Sequence, residues 1–130
     1  MSAESKSVVR TEAAPAPFQG APYSQAIRSG GFVFVSGQLG LKPGDERIEG
    51  GIVEQTEKIF QNLRAILEEA GSGLESLVKT TVFLIDLDDF GAMNEVYASH
   101  VGSSPPARAT VQVAALPSGA RVEIEAIAEV

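Results

Sequence analysis

Apolar side chains recur along the chain with two different periods, and the two periods predict two kinds of element. Between residues 52 and 70 they fall three and four positions apart, which is the spacing of one face of an amphipathic helix. Charged and amide side chains fill the opposite face, and Gly71 suits the end of a helix. The spacing therefore predicts a helix over 52–70. A second, mainly apolar stripe predicts another helix over 88–100, which the serines and prolines of 103–106 would stop. The members of this stripe are Phe90, Met93, Asn94, Tyr97 and Val101.

Short runs that alternate or are wholly apolar predict the strands. Residues 26–29 and 32–36 flank a Gly-Gly pair, which is typical of a β-hairpin. Residues 77–86 are rich in strand formers, and residues 108–114 and 121–129 alternate between polar and apolar side chains. The order β-β-α-β-α-β-β predicts an α+β domain in which both helices cover one face of a single sheet.

The length and composition fit one globular domain. The chain has 130 residues, of which 44% are hydrophobic and 21% are charged. We expect residues 8–130 to form this domain and residues 1–7 to be a flexible polar tail. No apolar run approaches the roughly 20 residues of a membrane span, and the first residues lack the apolar core of a secretion signal. These features predict a cytoplasmic protein.

The composition also excludes or disfavours several kinds of catalytic site, metal site and binding partner. The chain has no cysteine and a single histidine, His100, which excludes thiolate catalysis and zinc–thiolate centres and disfavours histidine-cluster metal sites and Ser-His-Asp chemistry. The net charge is −7 and the basic residues are scattered singly, which is unfavourable for binding nucleic acid. We predict no metal, no cofactor, and neither a nucleic-acid nor a membrane partner. A small anionic substrate is compatible, because one arginine in a pocket can outweigh a diffuse negative field.

The last two strands carry the candidate chemistry. Alternation separates Arg108 and Thr110 from the apolar residues of their strand, and Glu123 and Glu125 from those of the next. Because apolar sets are expected to pack under the helices, we predict that these polar residues lie on the opposite, non-helical face. The apolar residues predicted on that face are Phe83, Ile85 and Ile127. An exposed apolar sheet face needs a cover, and a second copy of the chain is the simplest one.

Charged groups on a covered face have to be paired or used in function. One interpretation is a structural ion pair within the interface between subunits. The other is an arginine that binds a substrate carboxylate beside a glutamate that activates water, in a cleft between subunits. Alternation alone leaves both interpretations open.

Five blocks of the chain resemble, in order, the RidA (YjgF-type) reactive-intermediate deaminases. They are APYSQA at 21–26, VSGQLG at 35–40, VKTTVFLIDLDDF at 78–90, MNEVY at 93–97 and PARATVQVAALPSGARVEIEAIA at 106–128. The resemblance extends from about residue 9 to residue 129. It implies a chorismate-mutase-like fold, in which three subunits close their sheets into a central barrel with the helices outside and the active sites between neighbours.

The resemblance also implies roles for single residues. Arg108 matches the family's carboxylate-binding arginine, and Thr110 stands where many relatives have a cysteine that offers its backbone to the substrate. Glu123 matches the glutamate near the attacking water, which leaves Glu125 a structural role. Tyr23 matches the tyrosine that closes the pocket.

Three further residues match pocket positions of the family. Ser36 and Gly37 match a turn that lines the cleft, although a simple strand end would look the same. Asn94 matches a pocket asparagine, although most such amides only satisfy nearby backbone groups. Pairing of the last two strands as a hairpin would place Arg108 and Glu123 several residues apart, so they would serve one cleft only through loop curvature or from different subunits.

Two departures from the family lie beside Tyr23. Ala21 replaces a glycine that is common there, and the preceding loop is longer than usual. The implied activity is hydrolysis of 2-imino acids to 2-oxo acids and ammonia by a homotrimer without a cofactor. An alternative is a regulatory module that binds 2-oxo acids or other small carboxylates without turnover. An RNA-directed or chaperone-like role is less favoured, the former because of the acidic charge.

Overall fold

The computed structural model describes residues 5–130 and contains one mixed sheet with two α-helices. The strands are β1 Ser7–Val9, β2 Ala26–Ser29, β3 Phe32–Gln38, β4 Leu77–Leu84, β5 Ala107–Gln112 and β6 Val122–Glu129, and the helices are α1 Ile52–Glu69 and α2 Phe90–Val101. The predicted α+β class is confirmed. Of the predicted tail, residues 1–4 lie outside the described residues, whereas Ser7 begins β1. This strand was not predicted from the sequence, because three residues are too few to show a period.

The strand order is β1-β2-β3-β6-β4-β5. β6 pairs antiparallel with both β3 and β4, and β5 pairs parallel with β4 at one edge of the sheet. The last two strands are therefore not hairpin partners, because β4 lies between them. A parallel pair needs a crossover connection, and α2 supplies it between β4 and β5.

The core lies between the sheet and the two helices. α1 presents an apolar stripe whose fully buried members are Ile59, Phe60, Leu63, Ile66 and Leu67. They pack with the inward residues of the central strands, and each such side chain contributes roughly 1.5–3 kcal/mol on burial. The polar face of α1 stays in water. No helix within residues 5–130 has the length and hydropathy that spanning a membrane requires.

The two faces of β5 are the reverse of those predicted. Arg108 stands opposite Thr80 in the register of β4 and β5, and Thr80 is fully buried beneath α2. Arg108 and Thr110 therefore lie on the helical face, while Val111 is 43% exposed on the other face. The prediction was wrong because β5 is an edge strand that the helices cover only partly. The rule that apolar residues face the helices does not hold there.

Glu123 and Glu125 do lie on the non-helical face, since the residues that alternate with them in β6 are buried under the helices. This face also carries apolar side chains. Phe32 is 38% exposed and Phe34 is 44% exposed, and both alternate with buried valines of β3. Val111 is exposed on the same face, so a single chain leaves three large apolar side chains of this face partly in water.

Candidate functional site

The side chain of Arg108 lies across two aromatic rings of α2. Its guanidinium carbon is 4.7 Å from the ring centroid of Tyr97 and 5.4 Å from that of Phe90, within the range of a cation–π contact. Within residues 5–130, Arg108 forms no salt bridge. A half-buried guanidinium that no carboxylate of residues 5–130 neutralises can bind an external carboxylate through two parallel hydrogen bonds.

Two other predicted site residues lie on the same side of the sheet. Thr110 is two positions along β5 from Arg108 and shares its face. Asn94 stands one turn from both Phe90 and Tyr97 on α2. The Oδ1 atom of Asn94 is buried and accepts no hydrogen bond within residues 5–130. We call Arg108, Thr110 and Asn94 the arginine group.

Glu123 lies on the opposite face of the sheet, directly against Gly37. A Cβ atom added to Gly37 would collide with Oε2 of Glu123 and would lie 2.8 Å from its Cδ. Any residue larger than glycine at position 37 would therefore displace the Glu123 carboxylate. The contact gives Gly37 a steric role that the sequence analysis, which placed it only in the lining of the cleft, did not foresee.

A β-bulge brings Gly37 to this position. The register between β3 and β6 shifts between Val35 and Gln38, and both of these residues are buried although they are three positions apart. Strict alternation would have pointed position 37 toward the core. The extra residue turns Ser36 and Gly37 out of the ladder instead, which is a common function of bulges beside active sites.

The pKa of the Glu123 carboxyl is raised above its usual value. Burial is the larger cause, because it disfavours the charged form, and the negative charge of nearby Glu125 adds to the effect. A carboxylate whose pKa lies above the ordinary range is a stronger base than a solvated one, which suits proton abstraction from water.

Tyr23 and Ser36 lie beside Gly37, the residue that meets this carboxylate. Tyr23 and Gly37 line the same cavity, which has a volume of about 50 Å³. The Tyr23 hydroxyl accepts a hydrogen bond of 2.6 Å from the backbone N–H of Phe18, and the Ser36 hydroxyl donates one of 2.6 Å to the carbonyl of Ser24. Both hydroxyls thus fix the segment that precedes β2. We call Tyr23, Ser36, Gly37 and Glu123 the glutamate group.

Gln25 anchors the same segment, and the sequence analysis did not identify it. Its side chain is buried at 4% exposure. The amide nitrogen donates to the carbonyls of Thr11, Ala14 and Pro15, and the amide oxygen accepts from the N–H of Thr11. The only signal in the sequence was its position inside the APYSQA block. Because a buried amide with its polar atoms satisfied is costly to replace, we interpret Gln25 as a structural support for Tyr23.

One chain therefore holds the predicted site residues as two separate groups. The arginine group lies on the helical face at the β5 edge, whereas Glu123, with Gly37 against it, lies on the other side of the sheet. Arg108 and Glu123 are not brought together within a chain. The rings of Phe90 and Tyr97 were recognised in the sequence only as members of an apolar stripe, and nothing in the pattern indicated that they carry an arginine.

The family model described as endoribonuclease L-PSP matches residues 11–130 of the chain. Among curated relatives, a RutC family protein of Pyrococcus abyssi is 51% identical over 124 residues, which are 95% of this chain and 96% of the relative. The 2-iminobutanoate/2-iminopropanoate deaminase of Mus musculus is 47% identical over 129 residues, which are 98% of this chain and 94% of the relative.

Solved structures share the fold over nearly the whole length. RidA from the Antarctic bacterium Psychrobacter sp. superposes with a TM-score of 0.91 at 44% identity, covering 95% of this chain and 99% of that one. The crystal structure of E. coli TdcF, which holds a bound serine, superposes with a TM-score of 0.87 at 37% identity, covering 95% of this chain and 98% of that one.

Proposed function

The chain belongs to the RidA-type family described as endoribonuclease L-PSP, and from that premise we propose that it hydrolyses reactive 2-imino acids to 2-oxo acids and ammonia. The observation that carries the proposal is the guanidinium of Arg108, which is seated on two rings and not neutralised by a carboxylate of residues 5–130. A 2-imino acid offers the matching carboxylate. The mouse relative's name as an imine deaminase supports the same substrate class.

We propose further that each active site combines two copies of the chain. The arginine group and Glu123 lie on opposite faces of one sheet, so a substrate that contacts both needs a neighbour. The apolar side chains of Phe32, Phe34 and Val111 lie on the same face as Glu123, and their burial favours association. Closed rings of identical subunits are the usual form of such assemblies. A trimer is the form that the family resemblance implies.

The mechanism follows from the chemistry of the two groups. Arg108 binds the substrate carboxylate and fixes the direction of the imine carbon. Glu123 of the partner subunit accepts a proton from a water molecule as the water oxygen bonds to that carbon and the C=N electron pair moves to nitrogen. The glutamic acid returns that proton to the nitrogen, which gives the carbinolamine. The hydroxyl proton of the carbinolamine then passes to its nitrogen as the C–N bond breaks, a C=O bond forms and ammonia leaves. Because the imine also hydrolyses in water, acid–base help of roughly 10²–10⁴-fold is sufficient.

A second candidate is a binding module that holds small carboxylates without turnover. The bound serine of E. coli TdcF favours it, since serine carries a carboxylate and contains no imine. Only the deaminase has a use for Glu123 as a base with a raised pKa, because binding alone needs no base.

An assay of ammonia release separates these candidates. Freshly generated 2-iminopropanoate is mixed with the protein, and ammonia formation is compared with that of the uncatalysed reaction. We expect the protein to accelerate release. Tight binding of 2-oxobutanoate with no acceleration would instead assign the chain to the binding module, and the absence of both would contradict both candidates.

Gly37→Ala is expected to lower kcat by roughly 100-fold, because a displacement of about 1 Å at a reacting group can cost that much. The added methyl group occupies the space of the Glu123 carboxylate, whereas Arg108 is untouched, so KM should change little. Gly91→Ala is the matched control, since a Cβ there meets nothing within 4 Å. Steady-state kinetics of the two variants checks this, and equal activity of both would contradict the steric role of Gly37.

Phe34→Glu is expected to prevent the subunits from associating. Phe34 is 44% exposed on the non-helical face, and a carboxylate there would be buried without a partner in an interface. Sedimentation velocity should show a trimer for the wild-type chain and a monomer for the variant, with loss of the deaminase activity. Leu87→Glu, at another 46% exposed apolar residue outside the sheet, is the control and should remain a trimer. A monomeric wild-type chain would contradict the two-copy site.

A further inference from the structure

The Arg108 guanidinium lies over the rings of Tyr97 and Phe90, which we call its seat. The Tyr97 ring is itself held rigidly. Tyr97 is only 5% exposed, and its hydroxyl lies 2.6 Å from the Thr80 hydroxyl in a buried hydrogen bond. Its ring packs edge-to-face with that of Phe60, with centroids 5.4 Å apart and planes at 86°. Thr80 is also the residue that stands opposite Arg108 in the register of β4 and β5. The Tyr97 ring is thus tied to the strand beside the arginine and cannot turn away.

We propose that Tyr97 is a positioning residue that orients the Arg108 guanidinium for the substrate carboxylate, with Phe90 as the second ring of the seat. The inference rests on the proposed function and specifies how the Arg108 guanidinium is held in its binding orientation before the substrate arrives. A guanidinium on a flexible stem loses conformational freedom when it binds an anion. A seat that holds it in one orientation removes part of that cost before the substrate arrives.

Aromatic rings suit this task better than a carboxylate does. A salt bridge would also fix Arg108, but it would occupy the N–H groups and neutralise the charge that the substrate needs. A ring face attracts the cation through its quadrupole and leaves the N–H donors at the guanidinium edge available. Within residues 5–130 the arginine has the rings and no salt bridge, which is the arrangement that this argument requires.

The test compares two changes at Tyr97. Tyr97→Leu removes the ring, whereas the double variant Thr80→Val/Tyr97→Phe keeps the ring and removes both hydroxyls, so that neither is left unsatisfied. We expect Tyr97→Leu to raise both KM and the calorimetric Kd for 2-oxobutanoate by roughly three- to tenfold, with kcat within about twofold. The double variant should bind as the wild-type chain does.

Two controls separate positioning from a general loss of stability. Leu63→Ala removes a fully buried side chain outside this seat and should lower the melting temperature while leaving Kd unchanged. The Arg108 δ-methylene protons should show an upfield ring-current shift by NMR in the wild-type chain and in the double variant, and should lose it in Tyr97→Leu. If Tyr97→Leu does not fold, Phe90→Leu serves instead, because that residue is 41% exposed, and it should also raise Kd.

Wild-type affinity in Tyr97→Leu, or an equal loss of affinity in Leu63→Ala, would overturn the inference. Weak binding by the double variant would do so as well, because it would assign the effect to the hydroxyl instead of the ring. The proposed function fails separately, if Arg108→Ala binds 2-oxobutanoate as tightly as the wild-type chain. Loss of binding in Arg108→Ala together with normal binding in Tyr97→Leu would leave the proposed function intact and remove only the seat.

Discussion

Replacing Arg108 with alanine is expected to lower kcat/KM for 2-iminopropanoate by roughly 10²–10⁴-fold. The variant loses two charge-assisted hydrogen bonds to the substrate carboxylate, each of which contributes about 1.5–3 kcal/mol, and each 1.4 kcal/mol corresponds to a factor of about ten. Most of the effect should appear in KM, because the carboxylate is bound equally before and during the reaction. Ammonia release under steady-state conditions measures it.

Two companion variants make the Arg108 result specific. Arg108→Lys keeps the charge but lacks the planar pair of donors, so its activity should fall between that of the alanine variant and that of the wild-type chain. Arg64→Ala removes an exposed arginine on the polar face of α1 and should have wild-type kinetics. If Arg108→Ala retained full activity, the carboxylate-binding role would be wrong.

Glu123→Gln is expected to lower kcat by roughly 10²–10³-fold with little change in KM. Glutamine is similar in size and shape to glutamate but cannot accept the proton of the attacking water, and positioned acid–base help is typically worth 10²–10⁴-fold. Wild-type activity, divided by the uncatalysed rate at each pH, should rise with pH through the raised pKa of Glu123. The glutamine variant should lose this rise.

Glu125→Gln tests the second cause of that pKa shift. Glu125 raises the pKa of Glu123 through its negative charge, so removing the charge should move the rise in activity to lower pH while activity at neutral pH is retained. Burial, the larger cause, stays in place, so the pKa of Glu123 should still lie above its usual value. An unchanged pH profile in both variants would show that Glu123 is not the titrating base.

The same shift predicts how stability responds to pH. A glutamate whose pKa is raised on folding binds its proton more tightly in the folded state, so its stabilising contribution is complete below the unfolded pKa. This contribution is lost as the pH rises through the folded value. At neutral pH the ionised Glu123 therefore opposes folding, and Glu123→Gln should have a melting temperature equal to or above that of the wild-type chain. A stability that is gained while activity is lost is typical of a functional group.

The local pattern of apolar and polar residues predicted the helices and most strands of the fold, but it did not predict how distant strands pair. The helical period over 52–70 gave α1 almost to the residue, since the helix spans Ile52–Glu69. The Gly-Gly pair gave the β2–β3 hairpin. The insertion of β4 between β5 and β6 was not foreseen, because strand order depends on contacts between distant segments that no local period records. β1 is short and depends on pairing with β2.

The sequence predicted the residues of the candidate site better than the contacts between them, because those contacts also depend on how distant segments pair. Alternation separated Arg108 from its apolar neighbours in β5 correctly, but which set faces the helices depends on how far α2 reaches over the edge strand. Tyr97 belongs to the predicted apolar stripe, and its cation–π contact with Arg108 follows only from the β4–β5 register. The contact between Gly37 and Glu123 depends on a bulge in β3, which a glycine in a strand suggests without fixing its direction.

Subunit mixing tests the central claim, that one active site takes Arg108 from one chain and Glu123 from another. Arg108→Ala and Glu123→Gln are co-expressed with different tags, and the mixed trimers are purified and assayed at a substrate concentration well below KM, where each variant alone is nearly inactive. Each mixed trimer holds two chains of one variant and one of the other, so in a cyclic arrangement one of its three sites regains both intact residues, and activity should return to roughly a third of the wild-type value. If the mixed trimers stay as inactive as the parents, both residues of a site come from the same chain, and the proposal of a site shared by two chains is contradicted.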